Sequence, residues 1–309
     1  MILIREVEEQ IAYRYHENNM RCPTHLCIGQ EAISSGVSLN LQKKDTVVST
    51  HRSHGHYIGK GGNITKMIAE IYGKTDGCSK GYGGSMHLID LKVNFMGSTA
   101  IVGNSVPIGV GLGLSSRFEN HSFISCIYFG EGCVEEGVFH ESINFAILKN
   151  LPVLFVCENN LYSVYSNLDV RQPKKRKIHK MIEAMGIKTF NGDGNNVLDV
   201  YNKTKKAIKH IKKNQKPVFL EFKTYRWREH CGPNYDNNIG YRSQKEFIYW
   251  KNKDPIKQFR NSLISKEILQ KDEINNLEQL VKRKVKNSFK LAEKSKFPTK
   301  KMAFINVYA

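Results

Sequence analysis

A glycine turn that holds a carboxylate stands near the middle of the chain. Gly130-Glu131-Gly132 interrupts an apolar run of strand length, Phe123 to Phe129, and helical periodicity follows the turn. In α/β folds, phosphate groups bind at such turns, because the backbone N–H groups at the start of the helix face the ligand. The pattern therefore predicts an anion site that contains a carboxylate.

A pair of asparagines follows the next buried strand. Asn160 comes 29 residues after Glu131, and residues 123–157 read as strand, turn, helix and strand, a βαβ unit whose strands are parallel. Because neighbouring parallel strands end side by side, we expect the Glu131 carboxylate and the Asn160 amide to converge at one edge of the sheet. Carboxylate, amide and carbonyl oxygens suit Mg²⁺, with phosphate groups completing its shell.

Alternating helices and strands surround this unit and must position it. Apolar periodicity predicts helices over residues 4–16, 30–41, 64–72, 138–148, 181–185, 197–211 and from 256 to about 292. Continuous apolar runs, typical of strands buried on both faces, predict strands over residues 46–49, 123–129, 152–157, 187–190 and 217–223. The sequence thus predicts an α/β fold with a mainly parallel sheet flanked by helices.

A helical tail follows this fold. We place an α/β domain at residues 1–255 and a C-terminal helical extension, packed on or beside it, at residues 256–309. The predicted apolar face of the extension is Ile264, Ile268, Ile274, Leu277 and Leu280.

Four other segments lack a clear period. The glycine-rich loop 73–84 fits either a flexible turn or a place where a partner backbone approaches closely. Residues 97–113 begin as a loop and become a helix near Pro107. We interpret the basic segment 171–180 as a surface loop and residues 224–242 as a long functional loop. A literal G-D-G within residues 191–196 follows only a short strand, and we interpret it as a polar loop before a helix.

Composition narrows the class of protein. The chain has 309 residues, 40% of them hydrophobic, which is enough to bury a large core and excludes overall disorder. The net charge of +18 is uneven, since residues 1–150 carry 13 basic and 14 acidic side chains, whereas residues 151–309 carry 34 and 15. The basic clusters have little aromatic interleaving, so a nucleic-acid-binding protein is the weaker alternative.

Cysteine usage and the apolar segments bear on the compartment. Seven cysteines with no C-x-x-C pair fit neither a zinc site nor a disulfide framework, so we expect a reduced, cytoplasmic protein. The first ten residues contain Arg5, Glu6, Glu8 and Glu9, unlike a signal peptide. The longest apolar stretch, residues 101–114, is too short and polar to cross a bilayer, and we expect no membrane association.

Six motifs in order resemble the α subunit of 2-oxo acid dehydrogenase E1 components of the pyruvate, branched-chain and acetoin types. They are THLCIGQEA (24–32), HRSHG (51–55), GCSKGYGGSMH (77–87), AIVGNSVPIGVG (100–111), the block from Gly130 to Asn160, and KTYRWREH (223–230). The block resembles the thiamine-diphosphate fingerprint, a G-D-G turn followed by about thirty residues and a paired asparagine. The resemblance implies the thiamine-diphosphate-binding fold.

This resemblance implies thiamine diphosphate and Mg²⁺ as cofactors. Glu131 matches the metal-binding aspartate, Asn160 the metal-binding asparagine, and Tyr162 a residue whose backbone carbonyl binds the metal. The cofactor-binding positions are these three together with His51, Arg52, Ala100, Val102, Gly103, Gly130, Gly132, Cys133 and His230. His25, His54 and His230 match catalytic histidines.

The chain departs from the family pattern at three positions in the matched motifs and the loop that follows them. Glu131 is one methylene longer than the usual aspartate, and His51 stands where tyrosine is usual. Cys231 occupies the place of a serine that mitochondrial relatives phosphorylate, in the loop that faces the substrate. The identity of the substrate therefore stays open.

The implied reaction is decarboxylation of a pyruvate-like 2-oxo acid through the C2 ylid of the cofactor, followed by transfer of the acyl group to an acceptor such as a lipoyl carrier. The sequence contains no second, pyrimidine-binding domain, so the resemblance also implies an E1 β-type subunit and an α₂β₂ heterotetramer. Alternatives are an acetoin-type dehydrogenase or a carboligase α subunit, and, outside enzymes, the basic nucleic-acid-binding protein.

Overall fold

The computed structural model describes residues 1–118 and 123–305. Its α-helices are α1 (Ile2–Arg14), α2 (Glu31–Ser38), α3 (His54–Gly59), α4 (Ile64–Ile71), α5 (Ser105–Phe118), α6 (Gly137–Leu148), α7 (Leu168–Arg171), α8 (Ile178–Glu183), α9 (Val197–Asn214), α10 (Gln244–Asn252), α11 (Pro255–Ser265) and α12 (Lys271–Lys294). Its strands are β1 (Thr46–Ser49), β2 (Phe95–Ser98), β3 (Ser125–Gly130), β4 (Val153–Asn159), β5 (Tyr162–Ser163), β6 (Ser166–Asn167), β7 (Lys188–Asp193) and β8 (Val218–Lys223).

A six-stranded parallel sheet forms the centre of the molecule. The strand order is β2-β1-β3-β4-β8-β7, and every neighbouring pair runs parallel. All of β4 and nearly all of β3 are buried, which explains their continuous apolar sequences. The small antiparallel hairpin β5–β6 lies outside this sheet. The predicted fold class is therefore confirmed.

Helices cover both faces of the sheet. One hydrophobic cluster combines side chains of α1, α2, α4, α9 and α12 with the sheet, and the other combines those of α5, α6 and α8 with it. Glycines bring α5 close to the sheet: a Cβ at Gly109 would lie 2.4 Å from Ile127, and one at Gly113 would lie 2.5 Å from Val153. This close packing explains why the α5 sequence is rich in small residues.

Most predicted elements are present, and the differences involve short elements. Helices α3 and α7, strand β2 and the hairpin β5–β6 were not predicted, because two to six residues are too few to show a period. Helix α10, which has nine residues, was not predicted either. The prediction of a loop to residue 180 was wrong, since α8 begins at Ile178. The prediction of a loop over residues 191–196 was partly wrong: β7 extends to Asp193 because it pairs with β8 from Lys188 onward.

The C-terminal segment is helical, as predicted, but its apolar face was partly misassigned. Ile268, Leu277 and Leu280 are exposed, whereas Val285 and Phe289 are buried in the cluster that covers the sheet. The segment is also divided into α11 and α12, and α12 packs on α4 and α1. The division into domains at residue 255 stays a prediction, and residues 306–309 of the extension lie outside the described residues.

The cysteines are free thiols, and Cys27, Cys126, Cys133 and Cys157 are buried, in keeping with their apolar neighbours. Burial raises the pKa of each of these four thiols. Within the described ranges, no helix has the length and apolarity needed to cross a membrane.

Candidate functional site

The turns after β3 and β4 meet at the C-terminal edge of the sheet. Gly130 and Glu158 are partners in the ladder between these strands, so the two chains leave the sheet side by side. Residues 131–135 form a 3₁₀ turn directly after β3. The backbone N–H of Asn160 donates to Oε2 of Glu131 at 3.3 Å. The carboxylate and the asparagine therefore converge, as the parallel arrangement predicts.

Glu131 and Asn160 are both buried and held by hydrogen bonds. Oε1 of Glu131 accepts from Nη2 of Arg171 at 2.6 Å. Oδ1 of Asn160 accepts from the Tyr162 N–H at 3.2 Å, and its Nδ2 donates to Oε1 of Gln30 at 3.1 Å. Burial raises the pKa of the Glu131 carboxyl, and Arg171 opposes that shift. The protein thus supplies a fixed carboxylate and a fixed amide oxygen, which are hard ligands suited to Mg²⁺.

A cavity, here called the central cavity, lies at this edge of the sheet. The cofactor-binding and catalytic positions that line it are His25, His51, Arg52, Ala100, Val102, Gly130, Glu131, Gly132, Cys133, Asn160, Tyr162 and His230. Its other lining residues, which the sequence did not single out, are Gln30, Thr50, Met86, Glu158, Ser163 and Val164.

Two predicted site residues do not line the central cavity. Gly103 lies beside it, with a positive φ of 84° and Val138 packed where a Cβ would point. His54 is fully buried, and its ring nitrogens contact Oε1 of Glu8 at 2.5 Å and Oγ of Ser85 at 2.8 Å. Since both nitrogens of His54 are engaged away from the cavity, its catalytic assignment stays a prediction.

Arg52 is a buried cation that lines the central cavity. Its Nη1 donates to the carbonyl of Leu26 at 2.6 Å and its Nη2 to the carbonyl of His230 at 3.1 Å. Burial, followed by repulsion from Arg226, lowers its pKa to about 10. Among the described residues no carboxylate pairs with Arg52 within 4 Å. A guanidinium held by carbonyl groups and facing a cavity is suited to bind an anion such as phosphate.

Three histidines that line the cavity form a cluster, and one of them, His230, contacts Arg52. The ring centroids of His25, His51 and His230 lie 4.6 to 5.4 Å apart. Burial, followed by the charge of Arg52, lowers the pKa of His25 to about 2 and those of His51 and His230 to about 3. The rings are therefore neutral at neutral pH. Their nitrogens lie within 4.8 Å of one another, close enough to share a metal ion, but the positive charge of Arg52 opposes a cation there.

A buried carboxylate shapes the glycine loop 73–84. Glu70 accepts four backbone hydrogen bonds, from the N–H groups of Ser79, Gly81, Gly83 and Gly84, at 2.6 to 3.2 Å. Gly81 and Gly84 have positive φ angles of 86° and 57°, which allow the chain to wrap around this carboxylate. The loop is thus an ordered structure that leads to Met86 in the cavity wall.

The residues present fit a magnesium diphosphate. The Glu131 carboxylate, the Asn160 amide and the Arg52 guanidinium all line the central cavity. Two buried atoms near them, Nδ1 of His25 and Nε2 of Gln30, have no hydrogen-bond partner within the described structure. Such atoms are costly unless a ligand satisfies them. The fold and this cavity define a class: an α/β protein that binds a diphosphate with a divalent cation at the carboxyl edge of a parallel sheet.

Comparison with known proteins narrows the class. The model of the dehydrogenase E1 component family matches residues 1–301. The chain is 35% identical over 308 residues to the pyruvate dehydrogenase E1 component subunit alpha of Rickettsia bellii and 36% identical to that of Rickettsia felis, covering all of this chain and 93% of each relative. It is 32% identical to the pyruvate dehydrogenase E1 component subunit alpha-3, chloroplastic, of Arabidopsis thaliana, covering 73% of that relative.

The chain belongs to the dehydrogenase E1 component family. It is an E1 α subunit of a thiamine-diphosphate-dependent 2-oxo acid dehydrogenase, with thiamine diphosphate and a divalent metal as cofactors. An E1 α subunit acts with a β subunit, so the chain has a β-type partner. The prediction of this family from the six ordered motifs is confirmed, and it holds over the acetoin, carboligase and nucleic-acid alternatives.

Sequence reasoning missed three polar residues of the site. Gln30 stands inside the quoted motif 24–32, and its bond to Asn160 was not foreseen. Glu158 directly precedes the asparagine pair and contacts His56 at 3.1 Å. Arg171 is 40 residues from Glu131 and begins the basic segment that was interpreted as a surface loop, so nothing local marked it as part of the site.

Proposed function

We propose that this E1 α subunit decarboxylates pyruvate or a closely similar 2-oxo acid, as part of an α₂β₂ heterotetramer that passes the acyl group to a lipoyl carrier. The observation that carries the proposal is the central cavity, whose wall combines hard oxygen ligands with a buried guanidinium and neutral imidazoles. The names of the relatives support pyruvate over other 2-oxo acids.

The chain's own residues hold the cofactor in this proposal. Glu131 and Asn160 bind Mg²⁺ through their side chains, and Tyr162 binds it through its backbone carbonyl. Arg52 and the turn of residues 130–133 bind the diphosphate. Ala100 and Val102 form part of the wall beside the cofactor, and Gly103 supports that wall from outside the cavity. When bound, thiamine diphosphate would supply a nucleophilic carbon and an electron sink for the electron pair that remains when CO₂ leaves.

The histidines act on the 2-oxo acid. His25, His51 and His230 are neutral, so each ring can donate one hydrogen bond and accept another. We assign His25 and His230 to the carbonyl and carboxylate groups of the substrate, with Arg52 adding positive charge. His54 is buried in the core, where it connects Glu8 of α1 to Ser85, the residue that follows the glycine loop.

An exposed apolar rim supports the assignment of the β-type partner to the mouth of the cavity. Val102 and Val164 line the cavity and are each 43% exposed, and the nearby Ile101 and Val170 are 65% and 79% exposed. Large exposed apolar patches mark interaction surfaces. We propose that the β subunit covers this rim. The cytoplasm as location, and residues 256–309 as a separate extension, remain part of the proposal.

Co-expression with the β-type subunit tests the proposed function. The purified complex is supplied with thiamine diphosphate, Mg²⁺ and an artificial electron acceptor, and then with pyruvate, branched-chain 2-oxo acids and acetoin in turn. We expect turnover to be fastest on pyruvate. Turnover on acetoin alone, with none on any 2-oxo acid, would replace the proposal by the acetoin-type or carboligase alternative.

A further inference from the structure

Arg171 joins two carboxylates of the turn that follows β3. Its Nη2 donates to Oε1 of Glu131 at 2.6 Å and its Nη1 donates to Oε1 of Glu135 at 2.5 Å. Its Nε donates to the carbonyl of Ser166 at 3.1 Å, so all three nitrogens of the guanidinium are engaged. The side chain is 12% exposed. This is a built contact between α7 and the turn, and not a solvated surface charge.

Arg171 does not belong to the wall of the central cavity. Glu131 lines the central cavity and Arg171 does not. The Glu131 oxygens are also used differently: Oε1 accepts from Arg171, and Oε2 accepts from the Asn160 N–H. A carboxylate has about four lone-pair sites, so each oxygen keeps one for a metal. Arg171 therefore fixes the carboxylate without lining the cavity, and both oxygens keep capacity for a metal.

The charges are compatible with a divalent cation. Glu131, Glu135 and Arg171 together carry a net charge of −1, since Glu135 offsets part of the guanidinium charge. Gln172 donates to the same Oε1 of Glu135 at 3.0 Å and fixes that carboxylate as well. A cation at Glu131 would thus still meet a net negative group.

The length of Glu131 matters for this contact. An aspartate at position 131 would withdraw the carboxylate by about 1.5 Å, the length of one carbon–carbon bond. That shift is enough to break the 2.6 Å hydrogen bond to Arg171. The hydrogen bond between residues 131 and 171 therefore depends on the length of the glutamate side chain.

We propose that Arg171 is the positioning residue of the divalent-metal site, and that it fixes the longer Glu131 side chain so that its carboxylate faces the cavity at one defined place. The inference rests on the proposed role of Glu131 as a metal ligand. Hydrogen-bond partners of metal ligands typically contribute 10- to 100-fold to metal affinity. Arg171 and Glu131 then form a coupled pair, because the contribution of each residue to metal affinity depends on the presence of the other.

Binding of Mn²⁺ as a probe of the metal site tests the pair. The complex with the β-type subunit is titrated with Mn²⁺ in the presence of thiamine diphosphate, and free Mn²⁺ is measured by electron paramagnetic resonance. We expect Arg171→Met, which keeps the length of the side chain but removes the hydrogen bonds, to weaken Mn²⁺ binding roughly 10- to 100-fold. Arg171→Lys keeps one charged donor, and we expect a smaller loss of roughly threefold to tenfold.

The double variant separates coupling from a general loss of structure. In a Glu131→Asp background the contact is already broken, so adding Arg171→Met has an effect of less than about threefold. Lys174→Met, an exposed position in the same basic segment, is the matched control and leaves Mn²⁺ binding unchanged. Unchanged affinity in Arg171→Met, or an equal loss in both backgrounds, overturns the inference. Failure of the unmodified complex to bind Mn²⁺ contradicts the proposed function instead.

Discussion

Two sets of residues that line the central cavity are built in different ways. In the proposed metal set, Glu131 and Asn160 have partners for both side-chain polar atoms, from Arg171, Gln30 and backbone N–H groups. In the histidine set, Nδ1 of His25 is buried without a partner among the described residues, and Arg52 has carbonyl groups around it in place of a carboxylate. The protein thus holds the metal set in place by its own hydrogen bonds, whereas the histidine set keeps polar atoms available for a ligand.

This contrast indicates where binding energy is gained. A preorganised set of ligands loses little freedom when the metal binds. The buried guanidinium and the unmatched imidazole nitrogen instead gain hydrogen bonds when an anion and a carbonyl compound enter. Gln30 shares features of both sets, because its Oε1 accepts from Asn160 and its Nε2 has no partner in the described structure.

The largest expected effect on cofactor affinity comes from replacing the proposed metal ligands. Replacing Asn160 or Glu131 by alanine removes a proposed metal ligand, and we expect the affinity of the α/β complex for thiamine diphosphate with Mg²⁺ to fall at least 100-fold. The physical reason is that a missing ligand also leaves its former partners buried and unpaired. Isothermal titration calorimetry measures the affinity, with Lys174→Ala as a surface control. Unchanged affinity in both variants would remove the metal assignment.

An intermediate effect is expected at Arg52. Hydrogen bonds to charged groups contribute about 1.5–3 kcal/mol, so Arg52→Met weakens binding of thiamine diphosphate roughly 10- to 100-fold. Arg52→Lys recovers only part of this, since an ammonium group lacks the planar fork. The measurement is calorimetry at saturating Mg²⁺. If the two sets of residues act independently, the Arg52 variants bind Mn²⁺ in the absence of thiamine diphosphate as tightly as the unmodified complex does. A loss of Mn²⁺ affinity as large as the loss of thiamine diphosphate affinity contradicts this independence.

Acid sensitivity is the next expected effect. His51 has a pKa of about 3 in the folded chain, below the ordinary value of 6.5. Below pH 6.5 the unfolded chain therefore binds a proton that the folded chain does not, and the free energy of unfolding falls as the pH decreases toward 3. His51→Asn removes this contribution, so its stability falls less steeply between pH 6.5 and 5, by up to about 1.4 kcal/mol per pH unit. Urea unfolding of both proteins across this range measures the difference, and identical slopes contradict it.

The smallest effect on cofactor affinity is expected for exposed lysines outside the central cavity. Lys205, Lys209 and Lys212 are exposed on α9. We expect their replacement by glutamine to change cofactor affinity less than about twofold, because exposed charges at a distance are screened. Salt-dependent retention on DNA gives the second measurement. Retention of the unmodified protein that survives about 0.2 M salt and is lost in the variant would revive the nucleic-acid alternative.

Much of the fold follows from local sequence patterns. Helix α9 and strands β3 and β4 were predicted because they are long and their apolar residues repeat with a clear period or run continuously. Helix α3 and strand β2 were not, since they have six and four residues. The orientation of α12 depends on α1 and α4, which pack against it, and no pattern within α12 reveals that choice.

The site was predictable to the extent that chain order determines geometry. Glu131 and Asn160 converge because parallel strands end at one edge, and this can be inferred from two segments alone. The contacts of His54 depend on Glu8 and Ser85, which are 46 and 31 residues away. The contact of Arg171 depends on the hairpin that turns the chain back toward β3. Such long-range partners carry no local signal.

The carboxylate of Glu70 has a consequence for assembly. Five glycines in residues 73–84 would leave the unfolded segment with many conformations, and four hydrogen bonds to one buried side chain remove that freedom before any partner arrives. A protein that docks against this loop therefore meets an ordered surface. The conformational entropy of the loop is lost during folding, so little more is lost on association. Loss of Glu70 would slow or weaken assembly while leaving the cofactor ligands in place.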